Sequence, residues 1–182
     1  MIIEQFPPFR AAHFRIKQAD DAWEHRGAAA LRRLVFCKEQ RIFRDDDRDA
    51  IDDEATTLIA FDYVGVAAGD VIGTVRIHEA EPGIWWGSRL AVAPAYRRVG
   101  ALGTALIRLA VGTARGRGCT RFHAHVQAQN GPLFMRLHWR TRGTLSLHGH
   151  PHLEMEADLD HYPPVIDAAS VAGWHATARI AA

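Results

Sequence analysis

The sequence predicts a single domain of α/β class, in the sense of an α+β or mixed α/β fold. Three observations support this class: an early stretch has helical periodicity, three β-rich segments follow with short connections, and a strand–helix–strand unit comes after them. The 182 residues are enough for one domain with a buried core. The formal charge of +1 predicts no general attraction to nucleic acid or to an anionic membrane.

The first third of the chain predicts one strand, one or two helices and a loop. HFRIKQ (13–18) is a candidate first strand, and residues 21–41 read as helical because their apolar residues recur at helical spacing. The recurring residues are Ala30, Leu31, Leu34 and Val35. RDDDRDAIDDE (44–54) is too charged for a core. It predicts either a solvated loop or a negatively charged segment that attracts a cationic amine toward the pocket.

Three strands are predicted next. TLIAFDYV (57–64) and VIGTVRIH (71–78) lie on either side of a predicted turn at Gly69-Asp70, and IWWGSRLAV (84–92) follows Pro82-Gly83. Short connections of this kind predict an antiparallel meander.

After Pro94 the pattern becomes that of a helix, which Gly116 and Gly118 end. Its predicted buried stripe is Leu102, Leu106, Leu109 and Thr113. A strand at 121–126 and a short helix at 133–139 are predicted to follow.

Residues 146–159 then supply one or two closing strands. We expect a domain of residues 1–162 and an Ala-rich tail, 163–182.

The turn from strand to helix at 92–104 predicts an anion site. The first N–H groups of a helix have no partner within the helix and lie at the positive end of its dipole. Small residues let an anion reach such a backbone, and Arg97 and Arg98 add positive charge at the rim. The glycine spacing matches neither a P-loop nor a dinucleotide fingerprint.

LAVAPAYRRVGALGTALIRLAV (90–111) resembles motif A of the GNAT superfamily of acyl-CoA-dependent N-acyltransferases, with one residue too many in its centre. The front of the motif is matched by Val92, Pro94, Tyr96 and Arg97, and the back by Gly103, Thr104, Ala105, Leu106 and Ile107. In the best register, Arg98, Ala101 and Gly103 align with the [QR]-x-x-[GA]-x-[GA] positions of the family motif, and Gly100 is the extra residue in the turn.

The resemblance implies acetyl-CoA as co-substrate. The strand residues implied to meet pantetheine are Leu90, Ala91 and Val92. Those implied to meet the phosphates are Arg97, Arg98, Val99, Gly100, Ala101, Leu102, Gly103 and Thr104.

HVQAQNGPLFMRLHW (125–139) resembles a second GNAT segment, a strand ending V-x-x-x-N followed by a short helix. The resemblance adds Asn130 and Phe134 to the cofactor site. In many members a tyrosine at the place of Phe134 protonates the departing thiolate, which phenylalanine cannot do. As a purely structural feature, an aromatic residue at this spacing belongs to the core.

Residues 30–55 (LR-x-x-VF-x-x-EQ, then spaced aspartates) resemble the first helices of one GNAT branch, and acyl-homoserine-lactone synthases have a similar front end. The closing strand, with His152 and Met155, matches the same branch, and a subgroup from bacterial nitrogen-metabolism clusters is also similar. The resemblance covers about residues 13–160. It implies a GNAT-like fold with a central, mostly antiparallel sheet of six to seven strands flanked by about four helices.

Transfer of an acyl group to an amine requires a base, because aliphatic amines are mostly protonated at neutral pH. Many GNAT members place a glutamate where this chain has Trp86. The remaining candidates are His78, Glu79, His125 and Glu39, of which His125 and Glu39 are the predicted catalytic residues. The resemblance also implies that the strands 84–92 and 121–126 splay to admit the thioester.

The cluster HGHPH (148–152) has the alternation of a metal site, but no obvious further ligand completes a shell. We expect no metal, and His150 and His152 are better candidates for lining the substrate pocket. The expected partner is a small-molecule amine, with no nucleic acid and no membrane; a homodimer is left open. Cys37 and Cys119 are too few for a disulfide framework, and the cytoplasm is the expected location.

The predicted function is acetyl transfer from acetyl-CoA to a primary amine. Because Trp86 and Phe134 occupy the usual positions of base and acid, a catalytically idle acyl-CoA-binding module is the alternative. An acyl-homoserine-lactone-type synthase is a further alternative, which the clear motif A argues against.

Overall fold

The computed structural model of the protein describes residues 13–64, 67–97, 101–169 and 175–177. In chain order the strands are β1 (His13–Gln18), β2 (Thr56–Val64), β3 (Ala67–Glu81), β4 (Ile84–Val92), β5 (Arg121–Gln127), β6 (Trp139–Leu147), β7 (His150–Ala157) and β8 (His175–Thr177). The α-helices are α1 (Ala22–Arg32), α2 (Ala101–Gly116) and α3 (Gly131–Arg136), and a π-helical segment, Arg33–Glu39, continues α1.

The strands form one sheet in the order β6-β7-β5-β4-β3-β2-β1-β8. Every neighbouring pair is antiparallel except β4 and β5, which run parallel. The predicted class of a mixed α/β domain with a mostly antiparallel sheet is confirmed, as is the meander of β2, β3 and β4. Six to seven strands were predicted, and the three-residue β8 at the edge brings the described sheet to eight.

Alternating side chains of the central strands face two different helices. Leu58 and Ala60 of β2 belong to the core that packs against α2, whereas Ile59 and Phe61 pack with Ala28 of α1. The predicted stripe of α2 is confirmed, because all four residues are at most 1% exposed. They are Leu102, Leu106, Leu109 and Thr113.

The predicted turn at Gly69-Asp70 is wrong, since both residues lie within β3. The Asp70 N–H donates to Oδ1 of Asp62 across the strand pair, at 2.9 Å. A Cβ on Gly69 would lie 2.2 Å from the same oxygen. A side chain at this position would displace the Asp62 carboxylate from the N–H of Asp70, so glycine here fits the close approach of a carboxylate, a reason that sequence alone does not separate from a turn.

The predicted helix at 133–139 ends earlier, at Arg136, and Trp139 is the first residue of β6. His138 has a left-handed conformation, with φ of +63°, which redirects the chain. The Trp139 Nε1–H donates to the Tyr162 hydroxyl at 2.9 Å, and that hydroxyl donates to the carbonyl of Leu137. These buried bonds fix the helix-to-strand junction, which an apolar run of this length cannot specify.

The acid-rich run 44–54 is held by three arginines from distant parts of the chain. The arginines are Arg32, Arg76 and Arg89, and their carboxylate partners are Asp47, Asp49 and Asp52. Arg76 and Asp47 are each only 2% exposed. The interpretation of the run as a solvated loop is therefore wrong for Asp47, which is buried and paired, whereas Asp49 and Asp52 are half-buried and also paired with arginines.

Residues after 162 also contact the domain. The Val165 N–H donates to Gly112 O, Ala168 O accepts from the N–H of Gln18, and β8 pairs with β1. Of the segments described, no helix is long and apolar enough to cross a membrane.

Candidate active site

The parallel strands β4 and β5 pair over only part of their length. Their register runs from Ile84 opposite Arg121 to Gly87 opposite Ala124, and beyond this point no further pair is formed between the two described strands. The strands therefore fork, and the backbone groups of Ser88 to Val92 on the β5 side have no strand partner in the described sheet. This confirms the predicted splay.

A β-bulge reshapes β4 at the mouth of the fork. Thr74 pairs with Ala91 and Arg76 with Ser88, so that two residues of β4, Arg89 and Leu90, lie opposite one residue of β3. Arg89 has a positive φ of +55°, which a side-chain-bearing residue rarely adopts. A bulge re-aims the backbone and the side chains of its strand, and bulges are frequent beside active sites.

A cavity of about 470 Å³ opens at this fork. Its wall on the α2 side is apolar, and the residues there include Ile107, Ala110, Phe122, Ala124, Val126 and Phe134. The wall on the opposite side of the sheet is polar and aromatic, and includes Phe43, Ser88, Arg89, Trp86, His125 and His148. The cavity thus joins the two faces of the sheet through the gap between β4 and β5.

The residues predicted to bind the cofactor lie in different settings. Leu90, Asn130 and Phe134 line the cavity, whereas Ala91 and Leu102 are buried in the cores on either side of the sheet. Val92 and Thr104 are half-buried, and Ala101 and Gly103 lie in the first turn of α2. Arg98, Val99 and Gly100 lie outside the described residues.

Phe134 is both a core and a cavity residue. It is 6% exposed, and its ring meets that of Trp139 edge-on at a centroid distance of 5.0 Å. Phe134 therefore contributes packing to the apolar wall and has no proton to donate.

Glu39 and Arg97, one predicted as base and the other as phosphate contact, bind each other. Two hydrogen bonds of 2.5 and 2.7 Å join the guanidinium to the carboxylate, and Arg97 Nε also donates to Val92 O at 3.1 Å. The hydrogen bonds from Arg97 lower the pKa of Glu39. Neither side chain lines the cavity, so the geometry does not favour Glu39 as the base.

His125 lies in the polar wall beside Trp86. The two rings are 4.8 Å apart at their centroids, and Trp86 also packs on His123 at 5.1 Å. Burial lowers the pKa of His125, although nearby Glu154 opposes the shift. The imidazole is therefore neutral at pH 7, the form that can accept a proton.

The other candidate bases are less well placed. His78 lines the cavity, and burial together with Arg76 lowers its pKa, but its Nδ1 is buried without a partner. The Glu79 carboxylate accepts the N–H of Gly83 at 2.7 Å and so belongs to the turn between β3 and β4.

The histidines of the HGHPH cluster separate in the structure. His148 and His152 line the cavity, whereas His150 is exposed and its carbonyl lies 2.9 Å from Nδ1 of His152. An Nδ1–H donated to this carbonyl leaves Nε2 of His152 as an acceptor. Within the described chain, three metal-binding groups converge only at Asp20, Asp21 and Glu24, where Lys17 and two backbone N–H groups already occupy Glu24.

The polar wall includes three further residues that the sequence did not predict as part of the site, namely Gln40, Phe43 and Gln127. The side-chain amide of Gln127 donates to that of Gln40 at 2.9 Å, which links β5 to the end of the π-helical segment. Phe43 contacts His148 at 4.9 Å, and the Arg89 guanidinium lies 4.6 Å from its ring centroid. The one local signal for Phe43 was its position, as an aromatic residue directly before the acidic run 44–54.

The fold is similar to several solved structures. A proposed N-acetyltransferase from Lactobacillus plantarum has 23% identity and a TM-score of 0.69, over 81% of this chain and 98% of that one. An acyl-CoA N-acyltransferase from Pseudomonas aeruginosa has 17% identity and a TM-score of 0.61, over 79% and 98%. The AHL synthase LasI has 16% identity and a TM-score of 0.58, over 81% and 90%.

A search of curated protein sequences found no match. The family model described as "Acetyltransferase (GNAT) family" matches residues 19–139, which is more than half of the sequence. This match includes α1, the forked strands, the bulge and α2. Taken with the forked sheet, it establishes that the chain belongs to the GNAT family of acetyltransferases.

Proposed function

We propose that this protein transfers an acetyl group from acetyl-CoA to a primary amine of a small molecule. The observation that carries the proposal is the cavity through the β4–β5 fork, which has an apolar wall on one face and a neutral histidine on the other. A thioester arm and an amine can enter such a cavity from opposite faces and meet in the gap.

The residues at the fork fit acetyl-CoA. The apolar wall suits a pantetheine arm. On the side away from β3, no described strand pairs with Leu90 to Val92, so this edge can offer backbone hydrogen-bonding groups to the arm, apart from Val92 O, which already accepts from Arg97 Nε. At the start of α2, a Cβ added to Gly103 would meet no atom within 4 Å, so open space lies beside the helix N-terminus. When bound, acetyl-CoA supplies a thioester whose C–S bond breaks as the C–N bond to the amine forms.

His125 is the proposed general base. An aliphatic amine with a pKa near roughly 10 is protonated at neutral pH and must lose a proton before it attacks. A neutral imidazole at the cavity wall can take that proton, and the contact with Trp86 holds its ring in place. The proposed donors to the carbonyl oxygen, on which negative charge develops, are backbone N–H groups of β4 at the bulge.

The direct test is to incubate the protein with acetyl-CoA and a set of primary amines and to measure the free thiol released. We expect thiol release that depends on both the amine and the protein. If acetyl-CoA raises the melting temperature but no amine releases thiol, the idle-module alternative is correct. If acetyl-CoA does not bind at all, the assignment of the fork as its site is wrong.

Gly103→Glu should reduce the affinity for acetyl-CoA at least about tenfold, because a carboxylate beside the helix N-terminus competes with the phosphates. Gly103→Ala is the matched control. Since the structure leaves space for its Cβ, alanine should preserve both binding and folding. Isothermal titration with acetyl-CoA measures the affinity of each variant. Equal affinities of the glutamate variant and the wild type would exclude this turn as the phosphate site.

Glu39→Gln should leave the turnover rate within about threefold of the wild type, because Glu39 binds Arg97 outside the cavity. Removal of a true general base lowers the rate by about 10²–10⁴-fold. Steady-state kinetics with one good amine separates the two roles. If the variant keeps its fold but turns over about 100-fold more slowly than the wild type, Glu39 is restored as the base.

A further inference from the structure

Four different elements each contribute a ring to the polar wall of the cavity. Trp86 comes from β4, His125 from β5, Phe43 from the loop after the π-helical segment, and His148 from the turn between β6 and β7. Trp86 and His125 lie 4.8 Å apart at their centroids, and Phe43 and His148 lie 4.9 Å apart. The proposed acceptor side is therefore enclosed by two pairs of aromatic and imidazole rings.

The same wall offers little to a second positive charge on the acceptor. Of the described residues that line the cavity, Asp49 alone carries a carboxylate. Its two oxygens already accept hydrogen bonds from the guanidinium groups of Arg76 and Arg89, at 2.6 to 3.2 Å. Both arginines also line the cavity, so a polycationic amine would face two guanidinium groups without a free counter-charge in this part of the structure.

The size of the cavity points to a small acceptor. Ligand sites commonly have about 300–1,000 Å³, and this cavity of about 470 Å³ must hold the end of the thioester arm as well. Flat rings that slide between aromatic walls gain offset-stacked or edge-to-face contacts that a saturated ring of the same size lacks.

We propose that the acceptor is a small primary alkylamine that carries a flat aromatic ring and no second positive charge, and that Phe43 and Trp86 recognise its ring. This inference rests on the proposed function. The amine nitrogen would point toward His125 and the fork, and the ring would lie between the two ring pairs.

The test compares 2-phenylethylamine with 2-cyclohexylethylamine, which has the same chain and a saturated ring, and with putrescine, which carries two charges. We expect kcat/KM for the aromatic amine to exceed that for its saturated analogue about tenfold, and putrescine to be the poorest acceptor. Phe43→Leu and Trp86→Leu should each bring the aromatic-to-saturated ratio to within about threefold of unity.

Trp23→Leu is the control, since Trp23 packs on Phe61 beneath α1 and does not line the cavity. It should leave the ratio unchanged even if it lowers the melting temperature. A ratio near one in the wild type, or putrescine as the best acceptor, overturns this inference and leaves the proposed function standing. If no amine of any kind releases thiol, the proposed function fails and the inference with it.

Discussion

His125→Asn is expected to lower kcat for acetylation of an aliphatic amine by about 100-fold or more. Partial desolvation lowers the pKa of His125 further below 7, so the imidazole is in the form that can accept the proton of the incoming ammonium group. Asparagine has a similar size and can hydrogen-bond, but it cannot take up a proton. Stopped or continuous thiol assays over a range of pH measure the effect.

The pH profile separates a base from a residue that only shapes the wall. Because the pKa of His125 is lowered, wild-type kcat should stay level as the pH falls and should decline only below about 6.5. In the variant, the rate should instead rise with pH toward the pKa of the amine, since only the free amine can react. An arylamine that is unprotonated at the assay pH should lose much less activity.

His123→Asn is the matched control for this variant. His123 lies two residues away on the same face and packs on the same Trp86 ring, but it does not line the cavity. It should retain kcat within a few-fold of the wild type. Equal losses in the two variants, or an unchanged pH profile in His125→Asn, would assign His125 a structural role instead.

The elements that the sequence predicts well are those defined by local periodicity. The predicted strand 84–92 coincides with β4, and the stripe of α2 is buried throughout, because alternation and helical spacing are visible within a short window. Motif A is also local, because its residues are contiguous in the chain. Patterns of this kind depend on neighbours in sequence, whereas the fork between β4 and β5 joins separate segments and was predicted only through the family resemblance.

The parts that sequence reasoning missed depend on contacts between distant segments. Glu39 and Arg97 are 58 positions apart, and Arg89 and Asp47 are 42 positions apart, so no local sequence pattern could predict either pair. Because Glu39 binds Arg97, this predicted base lies outside the cavity. Because Arg32, Arg76 and Arg89 bind Asp47, Asp49 and Asp52, these three carboxylates are no longer free to attract a cationic amine.

The arginine–aspartate network now carries a structural role that can be tested. Arg76 donates to both oxygens of Asp49 at 2.6 and 3.2 Å, contacts Asp52 at 2.8 Å and donates to the hydroxyl of Ser88 at 3.0 Å. The bond from Arg76 lowers the pKa of Asp49. Burial alone would raise the pKa of Asp52, but hydrogen bonds from Arg32 and from the backbone outweigh it and hold this pKa well below its usual range.

Arg76→Met should lower the free energy of unfolding by about 2 kcal/mol at pH 7, because it removes a buried guanidinium shared by two half-buried carboxylates, each of which keeps one other arginine. Carboxylates with lowered pKa values stabilise the fold above the ordinary aspartate pKa of about 3.9, and this contribution is lost as the pH falls through the lower folded values. The difference in unfolding free energy between variant and wild type should therefore shrink in acid.

Urea unfolding at pH 7 and at about pH 3 measures this difference. Arg48→Met, which removes an exposed pair with Asp53, is the control. A deficit no larger than that of the control, or one that grows in acid, would show that the network does not hold the loop through charge.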